Sequence, residues 1–146
     1  MQAMRITPFL LISLWGLCLG FTDGAAQVAV IAHKSVPVDT ITSAEVFDLY
    51  AFENRKWRDG QPVVVLDLKP KGAVRTAFYA FLGKSPSRMK SIWLINKLAG
   101  EGEPPEALAS EAAMVQRVAE TPGALGFVSF PVDTDSVKVL AVIEID

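Results

Sequence analysis

The residues best placed to do chemistry lie in one short segment, Lys69-Pro70-Lys71-Gly72-Ala73-Val74-Arg75-Thr76. It follows an apolar run and opens a helix-like pattern. Backbone amides at a helix start carry partial positive charge and can hold an oxyanion without a side-chain hydroxyl. Lys69, Lys71 and Arg75 would add charge, and Gly72 lets a ligand approach the main chain. The plainer reading is a solvated loop, with Val74 turned to the core. A second candidate is His33-Lys34-Ser35, at the end of the first apolar run. His33, the sole histidine, could donate to a ligand or respond to pH, or simply close a strand with its ring satisfied. One histidine is too few for a metal site or a catalytic triad.

Other chemistry is sparse. There are no paired carboxylates, nucleophile elbow or metal-ligand spacing, which points to binding rather than catalysis and implies no cofactor or metal. Glu101, Glu103 and Glu106 are interspersed with glycine and proline and read as a solvated loop. Trp57 and Trp93 could stack on a sugar or base, but their positions make them core fillers first. With net charge −2, the chain has no basic excess to draw nucleic acid or an anionic membrane surface.

The elements that position these residues alternate. Val28 to His33 reads as a buried strand. Thr42 opens a helix, with Glu45 at capping-box spacing and Ile41 and Val46 as a hydrophobic staple. Pro62 to Leu68 is a strand whose continuous apolar run suits a sheet covered on both faces. A helix from Gly72 to Gly83 follows. Ser85-Pro86 starts another, with Met89, Ile92, Trp93 and Leu98 as its buried stripe. Ser110 caps a helix running to Thr121, and Leu125 to Phe130 and Val137 to Ile143 are strands. The order predicts a three-layer α/β sandwich with a mostly parallel sheet. Ligands in such sheets gather beyond the strands' carboxyl ends, so His33–Pro37 and Lys69–Gly72 are expected to share one edge, with Pro122–Gly126 beside them.

Residues 1–26 stand apart. Arg5 precedes an uncharged apolar run, Ile6 to Phe21, and Gly24-Ala25-Ala26 supplies small residues for a signal-peptidase cut. Pro8 and Gly16 interrupt the run, which is short for a membrane span of about 20 residues. Cys18, the one cysteine, lies inside it and follows Leu17, where a lipoprotein signal needs a small residue. The expectation is a cleaved, exported periplasmic protein with no remaining membrane attachment. Its mature part, 27–146, is about 120 residues, one domain without a disulfide.

Four segments in order carry a resemblance: Trp57-Arg58-Asp59-Gly60 before Pro62-Val63-Val64-Val65; Gly72 to Phe78; Trp93 with the Gly100-to-Pro105 loop; and Thr121-Pro122-Gly123-Ala124-Leu125-Gly126-Phe127-Val128. Together they resemble one lobe of the phosphate-binding protein of the phosphate ABC importer, in the type II periplasmic binding-protein group. The similarity spans about Val28 to Phe130. It implies solute binding, a small oxyanion ligand and an ABC importer as partner. Two departures stand out. Full-length members close two lobes over the ligand, and here there is one. Their loop resembles Ser-Gly-Thr-Arg, whose hydroxyls donate to phosphate. Here Gly72, Ala73, Val74 and Arg75 take those places, and an arginine expected just upstream falls near Leu68. Inorganic phosphate is therefore not expected to bind at micromolar affinity. An open strand-end face suggests a homodimer or another periplasmic protein as partner, and the alternative function is an interaction module that has lost its solute.

Overall fold

The computed structural model describes residues 26–145, so the leader expected over 1–26 lies outside the described residues except for Ala26. Five strands form one sheet: β1 (Gln27–Ala32), β2 (Val64–Leu68), β3 (Glu106–Leu108), β4 (Ala124–Phe130) and β5 (Lys138–Glu144). The helices are α1 (Ser43–Tyr50), α2 (Ala73–Phe81), α3 (Pro86–Leu98) and α4 (Glu111–Glu120).

The sheet order is β3-β2-β4-β1-β5. β2 pairs in parallel with β3 and β4, whereas β1 pairs antiparallel with both β4 and β5. Four strands thus run one way and β1 runs against them, making a mixed, mostly parallel sheet. The short edge strand β3 falls where a plain loop is expected, because three residues carry no readable period.

Local chemistry sets the helix starts. Thr42 accepts from the Glu45 amide while the Glu45 carboxylate accepts from the Thr42 amide, completing the capping box of α1. Ser85 and Ser110 cap α3 and α4 by accepting from the Arg88 and Ala113 amides, without the return bond. Alternate residues of β4 address opposite faces. Phe127 stacks on Phe78 of α2 at 3.9 Å between ring centroids, while Gly126 faces Met114 and Val118 of α4. Helices therefore cover both faces and the fold has three layers.

The core is rich in aromatics. Tyr50, Phe78, Tyr79, Trp93 and Phe127 pack mainly edge-to-face at 5.0–6.5 Å. Their polar ends are satisfied: the Tyr50 hydroxyl donates to the Leu66 carbonyl, and the Trp93 indole to the Tyr50 carbonyl. Trp57 is buried as well and donates to the Gly123 carbonyl. Leu98 departs from expectation. It is 78% exposed, because α3 turns Met89 and Trp93 inward and presents Leu98 to solvent.

Candidate functional site

The reversed direction of β1 decides which candidate residues meet. The His33 amide donates to the Ala124 carbonyl, at the start of β4, and Val64, the first residue of β2, is in register with Ala124. Lys69 lies just past the other end of β2, where its amide donates to the Leu108 carbonyl. A five-residue strand at about 3.3 Å per residue puts roughly 15 Å between the two groups. No small ion spans that distance. The expected common edge is thereby corrected: His33, Lys34 and Ser35 sit with the Pro122–Gly126 turn at one end of the sheet, and Lys69 to Thr76 sit at the other. Period-2 patterning carries no strand direction, so β1 could not be oriented from its residues.

At the first end the groups satisfy one another. The His33 Nδ1 accepts from the Ser35 amide at 2.9 Å, and the Ser35 Oγ accepts from the Gly123 amide and pairs with the Gln61 side chain. The Lys34 side chain is exposed. This network ties the β1–α1 connection to the start of β4 and holds the turn in place.

At the second end α2 begins differently from its neighbours. Its N-cap is Gly72, and no side chain caps it. The first amides of a helix have no intrahelical partner, so those of Ala73, Val74 and Arg75 point outward uncapped. A β-carbon on Gly72 would meet nothing within 4 Å, so the approach to them is open. Val74 is half-buried and packs on the core, leaving only its backbone at the site.

Arg75 is where the structure departs most from a loop of free cations. It is 7% exposed, and its Nε and Nη2 donate to the two carboxylate oxygens of Asp67 at 3.2 and 3.0 Å. The Tyr79 hydroxyl donates to the same carboxylate at 2.6 Å. Burial alone would lower the Arg75 pKa, but the hydrogen bonds and charge of Asp67 hold it above its usual value. Burial first, then the negative charges around it, push Tyr79 well above the ordinary tyrosine range. Nη1 of Arg75 makes no hydrogen bond among the described residues. Asp67 went unnoticed in the sequence. Its signal was there: one charge in an otherwise apolar strand requires a buried partner.

A cleft of about 270 Å3 opens beside this start, lined by Lys71, Gly72, Arg75 and Thr76 from α2 and by Pro86, Ser87 and Lys90 from α3. Asp67 neutralises Arg75, so Lys71 and Lys90 leave a positive balance. Two hydroxyls and the uncapped amides complete a set rich in donors. Lys69 is exposed and Ala73 lies outside this lining, so α3 supplies what the sequence assigned to them. A wider cleft of about 540 Å3 beside α1 carries Glu45, Asp48, Lys56 and Arg58 in near balance, with Glu45 engaged in the cap. Among the described residues no cluster of histidine, cysteine and carboxylate could hold a metal ion, and no helix is long and apolar enough to cross a membrane.

Known structures share this architecture. A protein from Clostridium perfringens described as a phosphate ABC transporter substrate-binding protein, solved with bound phosphate, superposes with a TM-score of 0.65 at 21% identity over 80% of this chain. This chain has the fold of one lobe of such a binding protein. An ABC-type phosphate transport receptor from Vibrio cholerae gives 0.61 at 18% identity over 79% of this chain. PstS from Borrelia burgdorferi gives 0.57 at 12% over 80%. The chain spans 45%, 45% and 47% of those proteins' lengths, respectively. No family model and no curated protein matches the chain.

Proposed function

We propose that this chain is an exported, solute-binding-type lobe that holds a small oxyanion weakly in the cleft between the starts of α2 and α3. The observation that carries this reading is the uncapped start of α2. Its uncapped amides lie beside a cleft lined by Lys71, Lys90 and the buried Arg75. An anion there gains the helix-start potential, worth about 0.3–1 kcal/mol in exposed settings, and charge-assisted hydrogen bonds. The C. perfringens neighbour, bound to phosphate, makes phosphate the first ligand to try.

Weak binding follows from the residues present. Gly72, Ala73 and Val74 offer no hydroxyl, and each lost donor to a charged ligand removes roughly 1.5–3 kcal/mol. Among the described residues no second lobe closes over the cleft, so tighter retention of a solute would require a further covering surface. An amide chemical-shift titration with inorganic phosphate at low ionic strength tests the reading. The Ala73, Val74 and Arg75 amides should move together with a millimolar dissociation constant, and Lys71→Gln with Thr76→Val should weaken binding at least threefold. If those amides do not respond at 50 mM phosphate, about fiftyfold above a 1 mM dissociation constant, the reading is wrong.

A further inference from the structure

The cleft between the starts of α2 and α3 is lined by donors and by no ionised acceptor. Lys71, Arg75 and Lys90 line it with the hydroxyls of Thr76 and Ser87, and no carboxylate does. Arg75 is 7% exposed, and two of its nitrogens are spent on Asp67. Among the described residues every fully buried side-chain nitrogen or oxygen has a hydrogen-bond partner. Nη1 of Arg75 has none, so it keeps a face to solvent, and the cleft is the opening that Arg75 lines. A guanidinium fixed by its ion pair holds that nitrogen in place better than a surface lysine could.

Acceptors are scarce for a physical reason. Carbonyls at the start of a helix point along it into bonds with the next turn. The Gly72 carbonyl accepts from the Thr76 amide and the Ser85 carbonyl from the Met89 amide. The Asp67 carboxylate already accepts three bonds, two from Arg75 and one from Tyr79. Lysine and arginine have no acceptor to offer, so two neutral hydroxyls are the acceptors left on the lining side chains. At about 270 Å3 the cleft falls below the roughly 300–1,000 Å3 of sites for larger organic ligands, which leaves room for one small ion.

We propose that this cleft selects fully deprotonated oxyanions, sulfate first, over phosphate that carries a proton. The inference rests on the oxyanion reading above and adds the class of ion. Phosphate exchanges a proton near neutral pH, so it brings one or two O–H groups, whereas sulfate brings none. Each such proton removes one charge from the attraction and turns a donor toward a wall of donors. The charged groups on the surrounding elements are Lys69, Lys71 and Arg75 around the start of α2, Arg88 and Lys90 on α3, Asp67 on β2 and Glu144 on β5. Side chains of these types hold their charge between pH 6 and pH 8, and His33 lies at the other end of the sheet. A pH dependence of binding in that range therefore belongs to the ligand.

The Ala73, Val74 and Arg75 amides are followed while the full chain is titrated with sodium sulfate or sodium phosphate, at pH 6 and pH 8 and constant ionic strength. The sulfate dissociation constant should change less than about twofold between the two pH values. Phosphate should bind at least about threefold more weakly than sulfate at pH 6 and draw close to it at pH 8, as it becomes the dianion. Ser87→Asp adds an acceptor to the lining at the second position of α3, where an acid suits the helix start. At pH 8 both ions carry two charges, and this variant should place phosphate ahead, because the new carboxylate accepts its O–H. Lys90→Gln changes the charge by the same amount without a carboxylate and should weaken both ions alike. Phosphate binding as tightly as sulfate at pH 6 overturns the inference and leaves the oxyanion reading standing. So does a Ser87→Asp variant that keeps sulfate ahead at pH 8. Amides that answer neither ion overturn both.

Discussion

Replacing Arg75 by methionine tests whether the start of α2 is built on the buried ion pair. The parent pair is closed on both sides, with side chains 8% and 7% exposed and two nitrogen–oxygen bonds at 3.2 and 3.0 Å. Arg75→Met keeps most of the volume but leaves the Asp67 carboxylate buried with only the Tyr79 hydroxyl as donor. Breaking a buried pair from one side costs about 3–5 kcal/mol, because an uncompensated charge remains. At roughly 3–5 °C per kcal/mol for a domain near 120 residues, Tm should fall by about 10–20 °C. Removing the whole network is a different perturbation. Asp67→Leu, Arg75→Met and Tyr79→Phe together delete both the charge and its donors, and an apolar replacement of similar shape is often neutral. The triple variant should lie within about 2 kcal/mol of the parent. Arg75→Lys keeps the charge but not the two-pronged geometry and should fall between. Urea unfolding followed by Trp57 and Trp93 fluorescence measures all three, and Arg75→Lys serves if Arg75→Met does not fold. A loss below about 1 kcal/mol for Arg75→Met, or a triple variant less stable than the single one, would refute the reasoning.

Three further outcomes follow. Tyr50 and Tyr79 are the only tyrosines, both are buried, and burial raises both above their ordinary value of 10.0. A raised folded-state value means the stabilisation is full below the unfolded value and is lost as pH climbs past it, by up to about 1.4 kcal/mol per pH unit for each tyrosine. Absorbance of tyrosinate near 295 nm should therefore stay absent above pH 10 until the protein unfolds, then appear in one step; a gradual rise in the folded protein would contradict the burial. Gly123 has φ 78°, and a β-carbon there would lie 2.2 Å from the Pro62 carbonyl oxygen, a backbone atom that cannot step aside. Gly123→Ala should cost more than about 3 kcal/mol by denaturant unfolding, while Gly83→Ala, also at positive φ but in open space, should cost only about 1 kcal/mol. Protein recovered from the periplasm should begin at Gln27 by N-terminal sequencing; an intact Met1 would contradict the leader assignment.

What could be read from the residues alone was whatever rests on neighbours in sequence. The capping box at Thr42 and Glu45, the Ser85-Pro86 and Ser110 starts and the Pro122-Gly123 stop bond within a few positions, so residue type nearly settles them. The covered sheet was legible too, since Val63 to Leu66 is apolar on both of its alternating sides. The four ordered segments led to the lobe fold. Strand direction was not legible. Apolar alternation looks the same in either sense, and only the pairing of Ala32 with Leu125 and Gln27 with Phe130 shows that β1 runs backwards. That reversal separates His33 from Lys71. Nor did spacing show that Arg75 would turn inward to Asp67, eight residues earlier on another element, or that Lys90 would arrive beside Lys71. Leu98 lies five residues after Trp93, about 140° round the helix, so the helical period itself turns it away from the core that Met89 and Trp93 enter. Local hydrogen bonds and periodicity are properties of the chain, whereas partnership between distant charges exists only after the layers close.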